Sequence, residues 1–161
     1  MARRFVHQSA PLIEILGHLL EVSDNHEAEC VFKMLGVVAH CLPADAIRDH
    51  WAARLDLARA RIVDGSGLSR ANFIAAEDLS RLQFLAASGD HGALYAEALN
   101  AHFAARWWKG GAMSSIRSYT GLVESASGGR FAFAMLFNHY QDARAVSRWR
   151  DALVRAIMEV E

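Results

Sequence analysis

The chain has 161 residues, enough for one domain with a real core. Its 53% hydrophobic and 22% charged residues are ordinary for a soluble globular protein. Seventeen Lys and Arg against eighteen Asp and Glu give a net charge of −1, which is no footprint for nucleic acid or an anionic membrane. The run Arg106-Trp107-Trp108-Lys109 is too short to change that balance. No stretch reaches the ~20 apolar residues of a membrane span. The basic start Met1-Ala2-Arg3-Arg4 leads into an apolar stretch broken by Gln8, Glu14 and His18, so it does not read as a signal peptide.

In chain order, Pro11 suits a first helical turn. Leu12, Ile13, Ile15, Leu16, Leu19 and Leu20 then predict a largely buried helix over 10–22. Ser23 and Asp24 interrupt it, and both are good N-caps for a second helix carrying Ala28, Val31, Phe32, Leu35 and Val38. Pro43 opens a third helix, with Ala44, Ile47, Trp51, Leu55 and Ala58 on one face. The cluster Asp64-Gly65-Ser66-Gly67 is a turn or loop. Helices follow at about 75–87 and 92–103. Arg106 to Lys109 forms a strand. Residues 115–124 and 130–138 then make a hairpin around Ser125-Ala126-Ser127-Gly128-Gly129. Ala145, Val146, Trp149, Leu153, Ile157 and Val160 mark a closing helix. The predicted fold class is α+β, a single partial domain over 1–161: helices over about 10–103, then a three-stranded antiparallel sheet with a covering helix over about 105–160.

Other groupings carry less. Cys30 and Cys41 form no CxxC pair and read as free buried thiols. His26 and Cys30 sit at metal-ligand spacing on a helix, but no third ligand is evident, so neither a metal nor a cofactor is expected. The remaining histidines are scattered, and the acidic residues form no isolated catalytic pair.

The order of short motifs is more specific. Ser23-Asp24-Asn25 heads a helix. Asp64-Gly65-Ser66-Gly67-Leu68-Ser69-Arg70 follows, with Asn72 two residues on. Lys109-Gly110-Gly111 precedes the hairpin. This order resembles the D-alanyl-D-alanine carboxypeptidases of the penicillin-binding-protein 4 type, serine peptidases of the β-lactamase and transpeptidase fold. Ser9-Ala10-Pro11-Leu12, Asp90-His91-Gly92-Ala93-Leu94, Tyr119-Thr120-Gly121-Leu122 and Ser127 to Phe133 are similar to further segments of that family. The likeness runs over about residues 8–158.

The resemblance implies catalytic roles for Ser23, Asn25 and Lys109. Ser23 would pass a proton between the general base and the departing amine. Asn25 would aim its amide at the substrate carbonyl, and Lys109 would place an ammonium near the nucleophile. Gly110, Gly111 and Ser114 would bind substrate, whose backbone pairs along the strand. Caps for Ser23 and Asn25, and a solvated strand-end charge for Lys109, account for the same residues taken singly. The family pattern is Lys-Thr-Gly, so Gly110 lacks a hydroxyl that could hold a terminal carboxylate; Ser114 and Ser115 lie nearby.

The nucleophile motif Ser-x-x-Lys is absent. The two lysines, Lys33 and Lys109, are preceded three residues back by Cys30 and Arg106. The chain thus reads as the C-terminal half of the catalytic domain. The implied function is the substrate-binding half of a periplasmic D-Ala-D-Ala carboxypeptidase or endopeptidase acting on peptidoglycan stem peptides and β-lactams, inactive alone. The alternative is a non-catalytic remnant or interaction module that keeps the fold. Two more strands of the whole fold would cover one sheet edge, so that edge is expected to be apolar and to self-associate or meet a partner chain.

Overall fold

A computed structural model of the chain describes residues 5–99 and 106–161. The element order is α1 (Leu12–Val22), α2 (Asn25–Ala39), α3 (Pro43–Trp51), α4 (Ala76–Ser88), α5 (Gly92–Ala98), β1 (Arg106–Met113), β2 (Ile116–Glu124), β3 (Arg130–Asn138) and α6 (Ala143–Met158). The chain is thus α+β, as the periodicities predict. Part of the helix expected over 92–103 lies outside the described residues.

The sheet is antiparallel in the order β1-β2-β3. Residues 114 and 115 turn β1 into β2, with Ser115 at φ 61° in the left-handed region. The expected turn joins β2 to β3: the Ser125 N–H donates to the Gly129 carbonyl at 2.8 Å, and Gly128 takes φ 80°, which costs glycine nothing. Alternation along the strands divides the sheet into two faces. Trp108, Tyr119, Val123 and Phe133 pack with Val146 and Val154 of α6. Leu122 and Ala132 face the opposite way, toward Ala87, Tyr95, Ala96 and Leu99. Each fully buried Val or Leu there stabilises the fold by about 1.5–3 kcal/mol. Asp142 caps α6 by accepting from the Arg144 N–H at 2.8 Å.

The helical half departs from expectation in three ways. Helix α1 was predicted to be largely buried, yet it buries no residue, and Leu12, Ile13 and Val22 are exposed. Its main element contacts are with α2 and α5, and they leave part of its apolar stripe exposed. Pro11 is its N-cap rather than its first turn. Helix α3 stops at Trp51, so Leu55 enters the core from a loop, packing with Leu57 and Ala60 against Ile47 and Trp51. Cys30 and Cys41 are exposed, not buried, because they sit on the outward side and the exit of α2.

Among the described residues, no single helix is long and apolar enough to cross a membrane. Strand β3 pairs with β2 alone among them, and its segment from Phe131 to Phe137 carries no charge.

Candidate active site

The corner between α1 and α2 is built by two consecutive residues with separate tasks. Ser23 is the C-cap of α1, at φ 59° and ψ 48°, with its N–H on the Leu19 carbonyl. Asp24 is the N-cap of α2, its carboxylate accepting from the Glu27 N–H at 2.8 Å. That hydrogen bond holds the Asp24 carboxyl below the usual aspartate range. An N-cap role for Ser23 is therefore excluded: Asp24 has it. A non-glycine residue in the left-handed region costs about 1 kcal/mol or more. The bend points the Ser23 hydroxyl off the corner rather than along a helix.

Across from it runs β1, whose outer edge has no strand partner among the described residues. Lys109 extends from this strand and donates from Nζ to Ser23 Oγ. Burial holds the Lys109 ammonium below the usual lysine range. A cleft of ≈ 700 Å³ lies between corner and strand, lined by Ser23, Asn25, Gly65, Lys109, Gly110 and Gly111 among others. Five of the six residues singled out from the motifs thus share one cleft.

The sixth, Ser114, lies in the β1–β2 turn outside that lining, its carbonyl accepting from Arg70 Nη2 at 3.1 Å. On β2, Ser118, paired with Gly111, and Thr120, paired with Lys109, line the cleft instead. Thr120 donates to the Phe133 carbonyl at 3.0 Å. Neither carries a motif signature. Counting the register back from the two-residue turn at 114 and 115 is the signal that finds them. Arg117 also lines the cleft and was not singled out.

The two glycines of the strand differ. A Cβ on Gly111 would stand 2.6 Å from Ser118 Oγ, so a side chain there would require the Ser118 hydroxyl to turn away. A Cβ on Gly110 would meet nothing nearer than the Tyr119 ring at 3.6 Å, so a side chain fits there.

The loop from Asp64 to Asn72 buttresses the corner from behind. Asp64 accepts from the Gly67 N–H and the Ser69 N–H, both at 2.6 Å, and from Asn72 Nδ2 at 2.9 Å. Asn72 Oδ1 in turn accepts from the Val63 N–H at 2.7 Å. Burial pushes the Asp64 carboxyl up, but these hydrogen bonds outweigh it and hold the carboxyl below its usual range. The tied loop lies directly on α2: a Cβ on Gly65 would stand 2.4 Å from Phe32 Cβ and 2.5 Å from the Ala28 carbonyl oxygen. The Gly65 N–H donates to Glu29 Oε2 at 2.9 Å. The Asp-Gly-Ser-Gly motif is therefore a support for the helix that presents Ser23 and Asn25. His26 Nε2 and Cys30 Sγ lie 3.8 Å apart on α2, and no group of three or more metal-type ligands occurs among the described residues.

The chain is similar to several known proteins. Carboxypeptidase Rv3627c of Mycobacterium tuberculosis is 29% identical over 178 residues, covering 89% of this chain and 39% of that protein. The crystal structure of penicillin binding protein 4 (dacB) from Haemophilus influenzae superimposes with a TM-score of 0.82 at 21% identity, over 96% of this chain and 41% of that one. Bd3459, a predatory peptidoglycan endopeptidase from Bdellovibrio bacteriovorus, gives 0.64 at 18% identity, over 92% and 43%. The structural likenesses show a shared fold. The chain spans about two fifths of the length of these proteins. The sequence model of the D-Ala-D-Ala carboxypeptidase 3 (S13) family matches residues 4–160, nearly the whole chain, and on that match the chain belongs to this family.

Proposed function

We propose that the cleft binds the D-Ala-D-Ala end of peptidoglycan stem peptides, and that the chain is the substrate-binding half of a serine-type D-Ala-D-Ala carboxypeptidase or endopeptidase. The observation that carries this reading is the hydrogen bond from Lys109 to Ser23 inside the cleft. A proton relay works only over such distances, directly or through one water. With Lys109 donating to its oxygen, the Ser23 hydroxyl keeps its own proton free to give. In the acyl-transfer step, a serine oxygen attacks the D-alanine carbonyl and the peptide C–N bond breaks. The proton lost by that serine reaches the departing amine through Ser23. Asn25 orients the substrate amide, and the free edge of β1 pairs with its backbone through Gly110 and Gly111. The attacking serine needs a lysine three residues on, and no serine of this chain has one. The nucleophile is therefore supplied by other sequence. Such a substrate places the site of action at the cell wall, outside the cytoplasm.

A second reading, a module that binds without reacting, draws on Gly110, which provides no hydroxyl where the family pattern has one. Both readings predict binding, and both predict that the isolated chain forms no covalent adduct with a fluorescent penicillin by intact-mass spectrometry. A stem pentapeptide ending in D-Ala-D-Ala should shift the amide resonances of Ser23, Lys109 and Gly111, and Lys109→Ala should abolish those shifts. Unmoved resonances at millimolar peptide would sink both readings. A stoichiometric adduct lost on Ser23→Ala would give Ser23 the nucleophile's role instead. Adding a polypeptide that carries the family's Ser-x-x-Lys segment separates the two: release of D-alanine supports the half-enzyme.

A further inference from the structure

The corner that presents Ser23 is braced by a side-chain bond whose strength depends on a proton. Asp24 and Glu27, three residues apart, have the spacing of a reciprocal cap, in which the Glu carboxylate reaches back to the N–H of the N-cap residue. Half of that cap forms. Asp24 accepts from the Glu27 N–H at 2.8 Å, but the Asp24 N–H is already spent on the Leu19 carbonyl at 3.2 Å. The Glu27 carboxylate instead turns across the corner, and its Oε2 lies 2.8 Å from His18 Nδ1 on α1. His18 precedes the bend and Glu27 follows it, so their bond closes a triangle over Ser23. Apolar packing contributes little to this angle, since α1 buries no residue. Ser23 itself sits at φ 59°, a conformation that its surroundings must hold.

The charges around His18 favour its protonated form. Glu27 and Asp24 act on it from α2 and its cap, and Glu21 from its own helix, where Glu14 lies one turn back. Helix α5, also packed against α1, carries Glu97 and Tyr95, and the Tyr95 hydroxyl donates to Gln83. Lys109 meets the corner at Ser23. The bond to Glu27, above all, raises the imidazole over its ordinary value of 6.5. Below the raised value an imidazolium donates to a carboxylate, a charge-assisted bond. Above it the bond is neutral and weaker.

We propose that His18 and Glu27 are positioning residues for Ser23, and that protonated His18 holds the corner in the form that meets Lys109. The pair acts through Ser23 and touches no substrate. As pH rises through the folded value of His18 the corner loosens, the Ser23 hydroxyl turns away from Lys109 more often, and the cleft binds its ligand less firmly. His18 is more than half exposed, so the effect is small, about threefold, the scale of an exposed ion pair. The effect on the ligand rests on the peptide-binding reading above; the effect on the corner does not.

Two measurements from about pH 5 to about pH 8.5 test this. The first follows the Lys109 side-chain resonances of the free chain by NMR. They should shift with the same midpoint as the His18 imidazole, above 6.5. Glu27→Gln should remove that step. His18→Arg, charged throughout the range, should hold the Lys109 resonances at their acid position. His26→Gln is the control for the other imidazole at the corner and should leave the step in place. The second measurement titrates a stem pentapeptide ending in D-Ala-D-Ala by calorimetry at both ends of the range. Binding should be about threefold tighter at the acid end, and Glu27→Gln should level the two by weakening the acid value. A role for His18 in packing alone gives no such step. Absence of the Lys109 step in the unmodified chain, its survival in Glu27→Gln, or its loss in His26→Gln overturns the proposal. Equal binding at both ends overturns it too and leaves the peptide-binding reading intact. A peptide that binds at neither end sinks that reading, and the Lys109 titration then decides the corner by itself.

Discussion

Strand β2 and helix α6 bury Leu122, Val123, Val146 and Val154 to 1% exposure or less, whereas α1 and α3 bury no residue and α2 only Phe32 and Gly36. On α2, Val37 and Val38 stand 71% and 74% exposed. The sheet half is thus a packed core, and the helical half is held at fewer points, chief among them the tied loop at Asp64. The proposed site lies on the seam: Lys109 comes from the packed half, Ser23 and Asn25 from the looser one. A hydrogen bond across such a seam depends on whatever fixes the looser side.

The sharpest way to break the contrast is at its anchor. Gly65→Ala drives a methyl into Phe32 and the Ala28 carbonyl, so the loop and α2 must part. We expect a loss of about 3 kcal/mol in urea unfolding. Amide exchange should accelerate in α2 while α6 keeps its protection. Equal acceleration in both would show that the halves are one cooperative unit.

Next in size is a matched pair of truncations. Val154→Ala should cost about 2 kcal/mol by opening a cavity in the packed core. Val38→Ala, on the exposed side of α2, should stay within about 0.5 kcal/mol. Similar costs would mean that the exposed face of α2 is covered in solution.

The free edge of β3 predicts a smaller effect. Its uncharged run from Phe131 to Phe137 should give concentration-dependent association in sedimentation at tens of micromolar, and Phe131→Lys should suppress it. A monodisperse monomer of the unmodified chain would count against an available edge.

The least disruptive change is on the clasp between α1 and α2. His18 Nδ1 lies 2.8 Å from Glu27 Oε2, and that hydrogen bond, aided by the charge, raises the imidazole above its ordinary value of 6.5. A base whose folded pKa is raised contributes stability that is fully present below 6.5 and is lost as pH rises through the folded value. Glu27→Gln should return His18 to near 6.5 in an imidazole NMR titration and flatten the pH dependence of stability in that window. An unchanged titration would mean that Glu27 does not hold His18.

Much of this fold is written in short-range patterns. The hairpin turn at 125–129 follows from its small and glycine residues, α6 from its apolar spacing, and the cap of α2 from Asp24, because each depends on neighbours within a turn or two. The motif order likewise singled out Ser23, Asn25, Lys109, Gly110 and Gly111. Burial was not legible in the same way. Leu12 and Ile13 have the spacing of a core helix, yet α1 is exposed, since periodicity gives a helix an apolar face without giving that face a partner.

The sequence by itself determined the α+β order of elements, the positions of the turns and the family. The tertiary structure alone decided which of Ser23 and Asp24 caps α2, and which strand residue the Ser23 hydroxyl meets across the cleft. Both depend on the angle at the α1–α2 corner and on where β1 lies opposite it. Those are set by contacts between segments far apart in the chain, and local residue preference does not encode them.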